Sequence, residues 1–213
     1  MSSRRISLAD RLVGEIDKAI NVLSAPARGI REPPGKAGAE FALSPEKTRQ
    51  SIRLMRVNHA GEVAAQALYQ GQALTARNPE VAAAMQKAAQ EETDHLAWCE
   101  CRLRELGGRT SVLNPVWYLG SYAIGVIAGT FGDRVSLGFI AATEKQVESH
   151  LHEHLERLPE SDSRSRAILL QMKHDEVAHG AKASSMGGSA LPAALQTAMR
   201  LTSRLMTRSS FWL

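Results

Sequence analysis

Glu92-Thr93-Asp94-His95 is repeated in kind at Glu176-Val177-Ala178-His179, and this pair of Glu-x-x-His motifs decides the fold. On a helix, residues three apart project from one face about a turn apart, so each carboxylate and imidazole can reach one metal cluster. A lone motif arises by chance on charged helices. A pair carries weight when the chain sets both at one height, and two further glutamates supply that test. Glu62 lies 30 residues before Glu92, with the midpoint at residue 77, beside Asn78-Pro79. Glu144 lies 32 residues before Glu176, with the midpoint at residue 160, beside Pro159. Two antiparallel hairpins follow, each with Glu on its first helix and Glu-x-x-His on its second.

Four carboxylates and two imidazoles inside a four-helix bundle form the ligand inventory of di-iron and di-manganese carboxylate proteins. Hard oxygens with few nitrogens suit iron or manganese better than a closed, thiol-rich zinc site. Spacing leaves rivals open. Glu91 also sits one turn before His95, Asp175 one turn before His179, and Glu148 one turn after Glu144. His59 precedes Glu62 by three, the reverse order, and reads as packing or as support behind a ligand. His150, His152 and His154 alternate, which on a helix scatters them around the axis. Surface positions are expected for His152 and His154, with a substrate-side or proton-transfer role left open for His150.

Working outward, Ser44 can cap and Pro45 can open the first long helix, and Asn78-Pro79 repeats that signal for the second, which Gly107-Gly108 closes. Pro115 to Phe131 is apolar and uncharged, an amphipathic run extends from Asp133 to about Leu158, and another from about Ser163 to Ser185 ends at Gly187-Gly188. No alternating strand pattern occurs. The expected fold is all-α, a ferritin-like four-helix bundle with additional membrane-interacting helices. Its parts are residues 1–43 as a peripheral helix and linker, 44–188 as the bundle including the apolar segment 115–131, and 189–213 as a basic amphipathic helix.

With 213 residues, 44% apolar and 23% charged, the chain has material for one domain. The net charge is +4 with the signs interleaved, which excludes a basic nucleic-acid arm. Cys99 and Cys101 are two apart on a helix and cannot readily bridge, so a reducing compartment is expected. Asp10, Glu15 and Asp17 interrupt an apolar pattern of Leu8, Leu12, Ile16, Ile20 and Leu23, so that stretch reads as a retained helix and not as a cleaved signal peptide. After Glu176 no acidic residue occurs, while Arg200, Arg204 and Arg208 follow one another at i+4 opposite Leu191, Leu195, Met199, Leu205 and Met206. A basic amphipathic helix ending in Phe211-Trp212-Leu213 suits the headgroup region of an anionic leaflet, or alternatively a fifth helix packed on the bundle. The 17 uncharged residues from Pro115 are short for a span, and Ser121, Gly125 and Gly129 also permit close helix packing.

The sequence resembles the demethoxyubiquinol hydroxylase family of ubiquinone biosynthesis, membrane-associated di-iron carboxylate monooxygenases. The resemblance rests on Arg56-Val57-Asn58-His59-Ala60-Gly61-Glu62, on Glu91-Glu92-Thr93-Asp94-His95-Leu96, on Glu144 in its helix and on His174-Asp175-Glu176-Val177-Ala178-His179. It implies two iron ions per chain, one on Glu62 and His95 and the other on Glu144 and His179, with Glu92 and Glu176 bridging. Among the rivals it selects Glu92, Glu144 and Glu176, and it makes the four glutamates the catalytic carboxylates. The implied reaction uses O2 to hydroxylate the ring of a polyprenylated demethoxyubiquinol. No dinucleotide fingerprint is present, so an external reductant or the quinol itself is expected to supply electrons. The other implied partners are a membrane surface with anionic lipid and a homo-oligomer or a complex of ubiquinone biosynthesis, with peripheral attachment at the cytoplasmic side of a bacterial cell membrane. A ferritin-like iron oxidase or peroxide scavenger is the alternative use of the same ligands.

Overall fold

The computed structural model describes residues 8–35 and 43–213, which form seven helices and no strand. They are α1 (Leu8–Ser24), α2 (Pro45–Thr75), α3 (Pro79–Glu105), α4 (Asn114–Thr130), α5 (Asp133–Arg157), α6 (Ser163–Ser185) and α7 (Ala193–Trp212). Local chemistry sets the boundaries. The Ser44 and Asn78 side chains accept the Lys47 and Glu80 backbone N–H groups, with proline opening each helix. Asp162 caps α6 through the Ser165 N–H at 3.0 Å. Gly132, at φ 101°, makes the break between α4 and α5 that a residue with a Cβ would resist.

Helices α2 and α3 form one hairpin and α5 and α6 the other, and the turns fall beside residues 77 and 160, where the glutamate spacing predicts them. Two apolar layers fill the bundle. Leu54, Trp98, Leu151, Leu169 and Met172 pack at one end, and Tyr69, Met85, Leu137 and Ile140 at the other. The mirrored glutamates and histidines lie between these layers, so the helices that bury them are locked on both sides.

Helix α4 lies along α2 at nearly backbone contact. A Cβ on Gly71 would strike the Tyr122 carbonyl, one on Gly125 the Leu68 carbonyl and one on Gly129 the Thr75 hydroxyl. The packing reading of the apolar segment is therefore realised, although it needed Gly71 on α2 as much as the glycines of α4. The opposite face of α4, with Val116, Leu119, Ile127 and Phe131, stays exposed. No helix among the described residues is long and apolar enough to cross a membrane.

Helix α7 also divides its faces. Leu191 and Met199 pack beside Leu68 and Phe139, and Ser210 is buried and accepts the Trp117 indole N–H at 3.1 Å. Arg200, Arg204 and Arg208 remain exposed. The N-terminal stripe departs from its pattern, because Ile16 and Ile20 face outward while Ala19, Val22 and Leu23 pack against Val63, Leu96 and Tyr118. The side chains of Leu8 and Leu12, and the linker from 36 to 42, lie outside the described residues.

Candidate metal centre

Each hairpin delivers its ligand types to the same height. Glu62 comes from α2, Glu92 and His95 from α3, Glu144 from α5, and Glu176 and His179 from α6; all are buried except His179, whose side chain is 10% exposed. Their donor atoms fall into two overlapping groups, Glu62, Glu92, His95 and Glu176 in one, and Glu144, Glu176 and His179 in the other. Each group could hold a metal ion.

Glu176 belongs to both groups, and Glu92, a member of the first, also lies against His179 of the second. Glu92 has Oε2 3.2 Å from His95 Nδ1 and Oε1 3.1 Å from His179 Nδ1. Glu176 has Oε1 3.4 Å from His95 Nδ1 and Oε2 3.4 Å from His179 Nδ1. Each of the two carboxylates thus lies between the two histidines. Glu62 Oε2 lies 3.5 Å from His95 Nδ1 on the outer side of one group, and Glu144 flanks the other.

These atoms converge without satisfying one another. Glu62 Oε2, Glu92 Oε1, Glu144 Oε2, Glu176 Oε2 and His179 Nδ1 are buried and lack a well-formed hydrogen bond. An unmet buried acceptor costs about 1–3 kcal/mol, more when charged, so five in one place mark a site built around something else. Fully ionised, the four carboxylates would carry four negative charges, which two divalent cations would balance. Oxygen-rich donors with two imidazoles and no thiolate fit iron or manganese. Cys99, though buried, has its Sγ against Met172 Sδ at 3.8 Å and does not join either group.

The electrostatics agree. Burial, aided by the neighbouring carboxylates, pushes Glu62 and Glu144 well above the usual carboxylate range. Burial opposes charge on His179, yet the close Glu176 and Glu92 carboxylates raise it to about 12. His95 is raised by Asp175, Glu176, Glu62 and Glu92 against the same burial. The cluster draws positive charge inward.

Tyr69 and two supporting acids belong to this site although the sequence reading did not place them there. The Tyr69 hydroxyl donates to Glu144 Oε1, and its phenol is held well above its ordinary pKa by burial and by Glu144, Glu92 and Glu176. Its position seven residues after Glu62, two turns along one face of α2, was the available signal. Glu91 accepts from His179 Nε2 at 2.7 Å, and Asp175 accepts from His95 Nε2 at 3.0 Å. Each acid that competed with a motif glutamate in sequence instead holds the histidine of the opposite motif. Glu148 enters neither donor group.

The other histidines separate. His59 is buried and accepts from the Asn114 amide at 3.3 Å, which makes it packing. His152 is exposed as expected, but His154 is not: it is buried, with Nδ1 2.8 Å from Asn58 Oδ1. Position 154 continues the inward seam of Glu144, Val147 and Leu151, which outweighs the alternation of the three histidines. His150 lies beside it and bonds Ser203 Oγ through Nε2 at 2.9 Å.

An apolar groove of about 420 Å³ runs between α4 and α7 and reaches Glu62. Trp117 and Ile124 on α4 and Met199 and Met206 on α7 line it, as do His150 and His154 of α5. On the opposite side of the cluster a second cleft of about 460 Å³ opens at Glu91, His179, Lys182 and Tyr69.

A four-helix bundle with this buried cluster at its centre falls in the ferritin-like class of carboxylate proteins. Within that class, the model of the family described as ubiquinone biosynthesis protein COQ7 matches residues 49–210, and the chain belongs to that family. It is 56% identical over 203 residues to the 3-demethoxyubiquinol 3-hydroxylase of Nitrosomonas europaea, covering 95% of this chain and 98% of the relative. It is 54% identical over 204 residues to the protein of that name in Cupriavidus metallidurans, covering 95% and 99%.

Proposed function

We propose that this chain is a 3-demethoxyubiquinol 3-hydroxylase that holds two iron ions, on Glu62, Glu92, His95, Glu144, Glu176 and His179, and acts on a polyprenyl quinol at an anionic membrane surface. The observation that carries the reading is the buried cluster with Glu62 on the floor of an apolar groove. When bound, the iron pair supplies the redox chemistry by which O2, with two electrons from an external reductant, gives one oxygen to the ring and one to water. The protein's own residues do the rest. Glu92 and Glu176 hold the two positions at a fixed separation, Tyr69 holds Glu144, and the apolar layers exclude bulk water. The groove accepts an apolar ring beside Glu62 and leaves its tail between α4 and α7.

Exposed Val116, Leu119 and Ile127 on α4, Phe131 just beyond it, and Leu201 and Leu205 on α7 support attachment to lipid, with Arg200, Arg204 and Arg208 as the anionic-headgroup contacts. An iron oxidase or peroxide scavenger built on the same ligands leaves the groove without an occupant.

The test combines iron content with ring hydroxylation of a short-tailed demethoxyubiquinol under O2. Purified protein should carry two irons and turn the quinol over. Glu92→Ala and Glu176→Ala, each removing a bridge, should lose the pair and the activity together. Full dinuclear occupancy in both variants would refute the ligand assignment, and iron oxidation without ring hydroxylation would favour the alternative.

A further inference from the structure

The segment before α2 reaches the back of the cluster. Arg31 donates from Nε to Asp94 Oδ2 and from Nη1 to Asp175 Oδ2, both at 2.7 Å. Asp175 Oδ2 accepts from His95 Nε2 at 3.0 Å, and Asp175 Oδ1 accepts from Gln171 at 2.9 Å. The Arg31 peptide is pinned as well. Its N–H donates to Asp94 Oδ1 at 3.2 Å, its carbonyl accepts the Trp98 indole N–H at 3.0 Å, and its guanidinium lies over the Trp98 ring at 4.7 Å. A Cβ on Gly29 would stand 2.9 Å from Asp94 Oδ1, so the strap lies as close as a glycine allows.

The equivalent support across the cluster is weak. Glu91 holds His179 Nε2, but its own partner is Lys87, 3.4 Å away and 79% exposed. Both acids border the open cleft, but the Glu91 side chain is 35% exposed against 14% for Asp175. One histidine is thus backed by a carboxylate fixed by an arginine fork and a glutamine amide, the other by a carboxylate on a solvated surface. A guanidinium that gives one charge-assisted bond to each of two carboxylates and is itself pinned by Asp94 and Trp98 fixes the acid it reaches, whereas an exposed lysine pair adds little.

We propose that Arg31 and Asp175 are positioning residues for His95, so that the metal position served by His95 is held tightly and the one served by His179 loosely. This rests on the ligand reading above. It also brings the N-terminal segment into the metal centre, because Arg31 lies outside residues 49–210 that match the family. The backing carboxylate fixes the tautomer with Nδ1 toward the cluster and keeps the ring from turning. Loss of such support behind a ligand histidine typically lowers metal affinity 10–100-fold.

The experiment follows iron release from the full-length protein, loaded anaerobically with Fe(II), into excess ferrous chelator. The wild type should release its two irons in a fast and a slow phase. Arg31→Ala and Asp175→Asn should accelerate the slow phase about ten-fold or more and leave the fast one unmoved, with Arg31→Lys intermediate because one ammonium cannot span both carboxylates. Glu91→Gln should accelerate only the fast phase. A general loosening of the fold would move both phases in every variant, and that result overturns the proposal. Single-phase release from the wild type, or an unchanged slow phase in Arg31→Ala and Asp175→Asn, overturns it too while leaving the ligand reading intact. Retention of both irons by Glu92→Ala would instead fell the ligand reading.

Discussion

His154 shows how one side chain makes the bundle sensitive to acid. Burial lowers its pKa to about 3, and burial lowers His59 to about 4, against 6.5 for an exposed imidazole. Between those values and 6.5 the unfolded chain binds protons that the folded chain refuses. Stability from the two neutral imidazoles is therefore complete above about pH 6.5 and drains as the pH falls, by at most about 1.4 kcal/mol per unit for each. His154→Gln keeps an amide donor for Asn58 Oδ1 and removes one titration. Urea unfolding of the metal-free protein at a series of pH values should give a shallower fall from pH 6.5 to 4 in this variant than in the wild type; identical slopes would show that His154 is not held neutral. The same residue marks a limit of reading single positions. Spacing along the helices and the symmetry of the hairpins brought out the cluster glutamates and histidines with Glu91, Asp175 and Glu148 as rivals, and the family resemblance chose among them. Spacing could not show that Glu91 and Asp175 cross over to the opposite histidine, because that pairing is set between helices. Arg31 was out of reach for the same reason: it meets Asp175 across 144 positions of chain.

Turn signals and hairpin symmetry made the bundle legible at the level of elements, since proline at the first helical position and glutamates equidistant from a turn are both local facts. The placement of α4 was less so. An apolar, glycine-interrupted segment reads as lipid-inserting or as closely packed, and the structure packs one of its faces and leaves the other exposed. Gly71, Gly125 and Gly129 make the packed face, where backbone meets backbone. Gly125→Ala should therefore force α4 away from α2 and cost about 1–3 kcal/mol, as overpacking does. Gly120→Ala is the internal control, because a Cβ there meets nothing within 4 Å. It should be neutral or slightly stabilising through helix propensity. Denaturant midpoints for the pair decide the matter: equal effects would mean that α4 is not seated by its glycines.

For the molecule as a whole, the groove joins three things that the chain keeps far apart: Glu62 on α2, the apolar wall of α4 and the methionine-bearing wall of α7. The exposed apolar faces of α4 and α7 lie on the helices that form its walls, and the exposed arginines of α7 follow the same helix. A quinol that entered from lipid would keep its tail in an apolar environment until the ring reached the cluster. Ile124 is the residue to test, since it lines the groove and is still 39% exposed. Ile124→Asp would set a charge along the path of the tail, and a charge taken from water into an apolar setting is costly unless paired. A water-soluble, short-tailed demethoxyubiquinol has little tail to place there. Turnover of a long-tailed quinol in anionic vesicles should therefore fall at least ten-fold, with a change of no more than two- or three-fold on the short-tailed substrate, in keeping with about 1.4 kcal/mol per factor of ten. Iron content should remain at the wild-type level, because Ile124 belongs to neither donor group. Equal loss on both substrates with iron intact would place the approach route elsewhere, with the cleft beside His179 as the next candidate. Loss of iron would mean that α4 holds the cluster together through its seat on α2, and that the groove is a by-product of that packing.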